Sequence, residues 1–353
     1  MNTLLRASLL FFLFLVSLSA QATSVVFLNP GFPHERFWVD YSAYMQDAAG
    51  DLGMQLQVVY GDRDPHKILQ NARDVLQAPQ KPDFLVFANE QYVGPEILRL
   101  FADSGIKLFA LHSTLTPEQQ TLAGGSREKY ANWIGSLVPN DEEAGYLMAH
   151  TLFSLAPQGR GEVVAFSGVK QTPSASLREE GLRRALADHP QIRLRQMVYG
   201  EWKEQRAYEQ AKALLPRYPE VSLVWSANDE MAFGVMRAAQ EQGRTLRYSA
   251  LNTSPRVLDA RIDGRVSALV GGHFILGGCA MVMLHDYAAG LDFAARGGKD
   301  QVAPLFRLLD EREAKQLSQH IGDGGKSLNF RSFSAVTRPR MQRYSCSVDS
   351  LLR

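Results

Sequence analysis

Nine side chains spread along the chain share a chemistry suited to hydroxyl groups and sugar-like rings: Phe37, Trp38, Asn89, His112, Arg178, Trp202, Asn228, Asn252 and His273. Sugar rings expose C–H faces that pack on aromatics, and their hydroxyls need both donors and acceptors. Asn supplies both, a carboxylate accepts, and Arg donates in a planar fork. The set suits a small, neutral, polyhydroxylated ligand. The chain has no G-x-S-x-G elbow, no P-loop, no H-E-x-x-H and no Rossmann G-x-G-x-x-G, which removes the specific reasons to propose an enzyme without excluding one. No catalytic residue, cofactor or metal is therefore assigned.

Each candidate also has a plainer reading. Phe37 and Trp38 are adjacent at a helix start, so both cannot face the core equally, and Trp38 is the ring expected to face a ligand. Arg178 stands on the first turn of a helix, where a cation is unfavourable. It either pairs with Glu179 or Glu180 on the surface or reaches into a cleft. Trp202 covers a sheet edge or a ligand, and His112 and His273 are hydrogen-bonded structural groups or ligand groups. In "SANDEMAFG", Asn228 is expected to touch the ligand, while Asp229 caps the helix and braces Asn228.

The elements that must position these residues follow a regular rhythm. Apolar runs "SVVFLN", "QLQVVYG", "DFLVFAN" and "KLFALH", then "GEVVAFSG", "RLRQMVYG", "VSLVWSAN", "RYSALN" and "RVSALVGG", alternate with segments of helical period. Successive starts lie about thirty residues apart, the length of a βα unit, which predicts parallel sheets covered on both faces. In such sheets ligands bind beyond the carboxyl ends of the strands, where all nine candidates fall. "RFWVDYSAYMQDAAGDLG" reads as a helix stopping at Gly53, and "NDEEAGYLMAHTLFSL" as one capped by Asn140 with three acids in its first turn.

The chain's 353 residues imply two domains, since one usually holds roughly 100–150. A net charge of +1 gives no electrostatic reason to expect nucleic acid or an acidic membrane surface. Residues 1–22 combine Arg6, an apolar stretch and Ala20-Gln21-Ala22, which reads as a cleaved export signal and places the mature chain in the periplasm. Cys279 and Cys346 lie in unlike contexts, an apolar helical run and a polar tail, and are expected to stay unpaired even though an oxidising compartment would let them pair.

"ANDEMAFGVMRA", with its Asn-Asp pair before Met-Ala-x-Gly, together with "RFWVDYSAYMQDAAGDLG" and "LREEGL", resembles the type I periplasmic substrate-binding proteins of the ribose and galactose class. The resemblance covers residues 24 to 310 and takes in "LVPNDEEAG" and "ALNTSP" more weakly. It implies two Rossmann-like α/β lobes with parallel sheets, joined by a hinge of three segments near Val138, Gly272 and Gln301. The expected division is residues 23–138 plus 273–301, residues 139–272 plus 302–335, and a poorly ordered tail at 336–353. The tail helix "DEREAKQLSQHI" and the extended "LNFRSFS" precede that end, to wrap the second lobe or dock a partner. The resemblance implies ligand roles for Phe37, Trp38, Arg178, Asn228 and Asn252, with Trp202 where relatives often place a ring. His112-Ser113 replaces the family's Asp-Arg pair, Asn252 replaces an Asp, and a Gln often found near Gly272 is missing.

The expected function is a monomeric receptor closing on a sugar, polyol or similar ligand and presenting it to the permease of an ABC transporter. The alternative recipient is a membrane sensor, a histidine kinase or a diguanylate cyclase. A transcription regulator of this fold would need a DNA-binding domain where the export signal stands, and an enzyme built on His112 or His273 with Asp229 or Glu90 is the remote fourth class.

Overall fold

The computed structural model describes residues 22–322 and 328–352. The export signal expected over residues 1–22 lies, apart from Ala22, outside the described residues. All nine apolar runs form strands, and three further strands complete two six-stranded sheets. In the first sheet β1 (Ser24–Asn29) lies between β2 (Gln55–Tyr60) and β3 (Phe84–Phe87). Then come β4 (Lys107–Leu111), β5 (Trp133–Pro139) and β11 (Asp300–Ala303), all paired in parallel. In the second, β6 (Gly161–Ser167) lies between β7 (Ile192–Tyr199) and β8 (Val221–Ser226). There β9 (Arg247–Leu251), β10 (Ala268–Gly271) and β12 (Arg307–Leu309) follow, and β12 runs antiparallel to its neighbour.

The helices between the strands are α1 (Arg36–Leu52), α2 (Pro65–Gln77), α3 (Gly94–Leu100) and α4 (Pro117–Ala123) in the first lobe. The second lobe holds α5 (Asp141–Ser154), α6 (Pro173–Asp188), α7 (Glu204–Arg217), α8 (Asp229–Glu241) and α9 (Pro255–Ile262). After β10 the chain returns to the first lobe as α10 (Leu276–Ala288), packed on α1, and α11 (Glu311–Gly322) packs on α9. Successive strand side chains point to opposite faces. Val25 and Phe27 accordingly enter one apolar cluster while Val26 and Leu28 enter another, which explains why β1 reads as a continuous apolar run. Gly53 ends α1 with φ of 68° and returns its N–H to Ala49 and Gly50. Asn140 caps α5 by accepting from the Glu143 N–H, ahead of Asp141, Glu142 and Glu143.

Three segments connect the sheets: Asn140 after β5, Gly272 after β10, and residues 304–306 between β11 and β12. Gly272 has φ of 117°, and a Cβ there would lie 2.2 Å from the Leu305 carbonyl oxygen, so two connecting segments touch where only glycine fits.

The tail departs from expectation in three ways. Cys279 and Cys346, 67 positions apart, form a disulfide; they belong to unlike local contexts because the chain between them brings the tail back onto α10. "LNFRSFS" forms a 3₁₀ turn at Phe330–Phe333 rather than an extended piece, with the Phe330 N–H donating to Asp51 on the first lobe. The last residues are packed rather than loose. Asp286, fully buried in α10, accepts from the Ser334 hydroxyl, the Ala335 N–H and the Tyr344 hydroxyl, and Val348 and Leu351 are buried.

Candidate functional site: the cleft between the lobes

Strand ends from both sheets converge on an interlobe cleft of about 420 Å³ of non-atom space, part of it open to solvent. The first lobe contributes Glu35, Phe37, Trp38, Arg63, Glu90 and His112; the second contributes Ser174, Arg178, Trp202, Asn228, Leu251 and Asn252; His273 comes from the segment joining them. Eight of the nine candidates therefore meet in one place, from positions up to 236 residues apart between Phe37 and His273.

The floor is aromatic. Phe37, at the start of α1, stacks on His273 with ring centroids 4.8 Å apart and lies 5.5 Å from His112. Trp38 is 2% exposed and lies edge-on to His112 at 5.0 Å. The roles of the adjacent rings thus differ from the expectation that Trp38 would be the more open one: Phe37 is the half-buried ring, and Trp38 brings mainly its indole edge.

His112 follows β4 with φ of 70° and its N–H on the Leu137 carbonyl. Its imidazole pKa is pushed down to about 3 by burial first, then by Arg178 and Arg63. His273 is held well below its ordinary value by burial, Arg178 and His112. Both rings are therefore neutral, and each offers one donor and one acceptor. Neither Nδ1 has a hydrogen-bond partner in the protein, and neither has the buried Nε1 of Trp38. Buried polar groups are nearly always paired. Three unpaired ones on residues that line a single cavity are groups open to a partner there.

Arg178 is buried but not free. Its Nε donates to Asp141 at 2.7 Å and its Nη1 to the Ala227 carbonyl at 2.8 Å, so the surface pairing with Glu179 or Glu180 is replaced by an internal one. Its guanidinium lies 5.5 Å from the Trp202 ring, a cation–π distance. Trp202 rests directly on Gly168, where a Cβ would fall 1.9 Å from the indole, so the glycine after β6 is what lets the ring reach the cleft.

Asn228 and Asp229 divide their work differently from the expectation. Asn228 is the helix cap: its Oδ1 accepts from the Met231 N–H at 3.0 Å, and its Nδ2 donates to the Trp202 carbonyl at 3.2 Å. Asp229 braces Asn252 and Ser254 instead of Asn228, accepting from Asn252 Nδ2 at 3.2 Å and the Ser254 hydroxyl at 2.5 Å. Burial raises the Asp229 pKa against the pull of those hydrogen bonds.

Asn89 is not at the cleft. It is fully buried and ties loops together, donating to the Thr114 carbonyl and to Gln119 and accepting from the Gly94 N–H. Its neighbour Glu90 lines the cavity in its place. The sequence reading also missed Arg63 and Glu35. Arg63 Nη1 donates to Glu90 at 2.8 Å and its Nε to Glu35 at 2.9 Å, forming a buried charge bridge. Burial raises the Glu90 pKa against the pull of Arg63. The signal was available in "GDRDP", which follows β2 at the one early strand end left unread.

Among the described residues no group of three or more His, Cys, Asp or Glu could hold a metal. No carboxylate hydrogen-bonds either imidazole among the described residues, and a His112 pKa of about 3 makes a poor general base at neutral pH.

The family description "Periplasmic binding protein domain" matches residues 25–292. Among solved structures, a periplasmic sugar-binding protein from Pseudomonas fluorescens is similar at 52% identity with a TM-score of 0.86, covering 94% of this chain and 100% of that one. The D-allose-binding periplasmic protein of Escherichia coli K12 is 26% identical over 78% of this chain and 86% of its own length. The ribose import binding protein of the same organism is 23% identical, over 72% and 81%. These relatives are binding proteins rather than enzymes. With two parallel-dominated lobes around a cleft and a family match over most of its length, the chain belongs to the type I periplasmic binding protein family.

Proposed function

We propose that this protein is a periplasmic solute receptor that closes its lobes on a small polyhydroxylated ligand, a sugar or sugar-like molecule, and presents it to the permease of an ABC transporter. The observation that carries the reading is that Trp38, His112 and His273, each with an unpaired ring nitrogen, line one cavity together with Phe37 and Trp202. Hydroxyls satisfy those nitrogens as donors or acceptors while the rings take the apolar face of the ligand. The names of the relatives, which bind allose and ribose, support the ligand class. The cationic and apolar first residues support export. Closure is a hinge motion in which the ligand shifts the population toward the closed form. Calorimetry against sugars, polyols, nucleosides and amino acids tests it: a sugar or polyol is expected to bind, and no binding by any small solute overturns the reading.

A further inference from the structure

Beyond Phe37 and Asn252 lies a second space, a mouth open to solvent, bounded by the loop before α1 and by the starts of α7 and α8. The two spaces adjoin, sharing Glu35, Phe37, Arg63, Trp202, Asn228 and Asn252 as walls. Among the described residues their carboxylates and guanidiniums are matched with one exception, and the exposed Lys203 at the rim also has no ion pair. Arg63 is taken by Glu35 and Glu90, Arg178 by Asp141, and Arg36 by Asp40. Glu204 is taken by Arg256, and Glu201 by Arg206. Asp229 is satisfied by Ser254 and Asn252.

Glu230 is the exception. It stands half-buried on the first turn of α8, with no hydrogen bond or ion pair among the described residues. Three carboxylates face it: Asp229 on its own helix, Glu204 at the start of α7 and Glu35 across the mouth on the other lobe. The opposing cation is Arg256 of α9, already engaged by Glu204; Lys203 and His34 on the rim are exposed. Burial, Asp229, Glu204 and Glu35 push its pKa up to about 7 against Arg256. The positive end of α8, worth roughly half a charge, is outweighed by the two carboxylates of its first turn. Glu35 lines the same mouth from the other lobe but is held by Arg63, which leaves Glu230 as the carboxylate without a cation of its own.

We propose that the ligand is a polyhydroxylated molecule bearing an ammonium group, an amino sugar or amino-substituted polyol, whose hydroxyls meet the His112, His273 and Trp38 nitrogens and whose ammonium pairs with Glu230. The inference rests on the solute-receptor reading above and sharpens its ligand class. A sugar acid or sugar phosphate finds no unpaired guanidinium among the described residues of this cleft, only the exposed Lys203 at its rim, and meets the unpaired Glu230.

Calorimetry on the full mature chain tests it with matched sets: amino sugars and amino polyols, their neutral parents and the corresponding acids. The amine is expected to bind about tenfold tighter than its neutral parent, the scale of one partly buried charge-assisted hydrogen bond. The acid is expected to be weakest. Glu230→Gln collapses the amine-to-parent ratio toward one, and for amines that stay protonated throughout, such as amino polyols, the preference in the unmodified protein grows as pH rises from 6 to 8 while the variant shows no such growth. A thermal melt of the variant checks that it is folded. A neutral parent that binds as tightly as the amine, or a ratio untouched by Glu230→Gln, overturns the proposal and leaves the receptor reading standing. No binding by any member overturns both.

Discussion

His112 shows how much of the site is set by the surroundings of a single side chain. An imidazole in an unfolded chain titrates near 6.5, whereas burial, Arg178 and Arg63 hold this one at about 3. As pH falls below 6.5 the unfolded state takes up the proton first. Stability is then lost at up to about 1.4 kcal/mol per pH unit, until the folded state also protonates. Glu230 acts in the opposite sense: its folded value of about 7 lies above the unfolded one of 4.5, so its cost appears as pH rises through that window. A difference experiment separates the two. Asn tolerates the left-handed backbone found at position 112, so His112→Asn removes the titration and keeps the chain path. Urea unfolding at pH 7.5 and 5.0 is expected to show the unmodified protein losing about 2 kcal/mol more than the variant. Equal losses would mean that the ring is not held neutral.

The elements explain why most of the cleft was legible in the sequence and why parts were not. Parallel strands buried on both faces announce themselves as apolar runs, and their carboxyl ends can be read directly; Phe37, His112, Arg178, Trp202, Asn228 and Asn252 were found that way. β5 escaped because Gly135 and Ser136 interrupt its run, and β11 and β12 because four and three residues carry no period. Asn89 was misplaced because position at a strand end does not say which way a side chain turns. The capping motif was legible, but not its second task, since the Asn228 amide also holds the Trp202 loop from 26 residues away. Two substitutions separate these tasks. Asn228→Ser keeps a capping oxygen and gives up the donor to Trp202, so stability is expected to change by a few tenths of a kcal/mol while ligand affinity falls. Asn228→Ala gives up both and costs about 1 kcal/mol of stability as well. Thermal unfolding beside calorimetry checks the pair, and an affinity unmoved by Asn228→Ser would remove the Trp202 loop from the binding argument.

At the scale of the whole molecule, the two lobes follow from local rhythm, whereas the tail depends on contacts between distant parts of the chain. α11 packs on the second lobe; Phe330 and Asp286 then fasten the following residues to the first lobe, and Asp349 pairs with Arg307 of β12 back on the second. Val348 meanwhile comes within 3.8 Å of the space a Cβ on Gly272 would occupy, at one of the three connecting segments. The tail therefore passes twice more between the lobes, and Cys279–Cys346 fixes it to α10 near its end. Two consequences should separate experimentally. A cross-link closing a loop of this length typically contributes about 2–4 kcal/mol, so Cys346→Ser is expected to lower the melting temperature, and reductant to have the same effect on the unmodified protein but none on the variant. Releasing the strap also removes a restraint on opening, so small-angle scattering of the ligand-free variant at a temperature where it remains folded should give a larger radius of gyration, and saturating ligand should restore the closed value. A melting point that falls with no change in the scattering of the folded state would make the disulfide a staple of the first lobe alone, with the hinge indifferent to it.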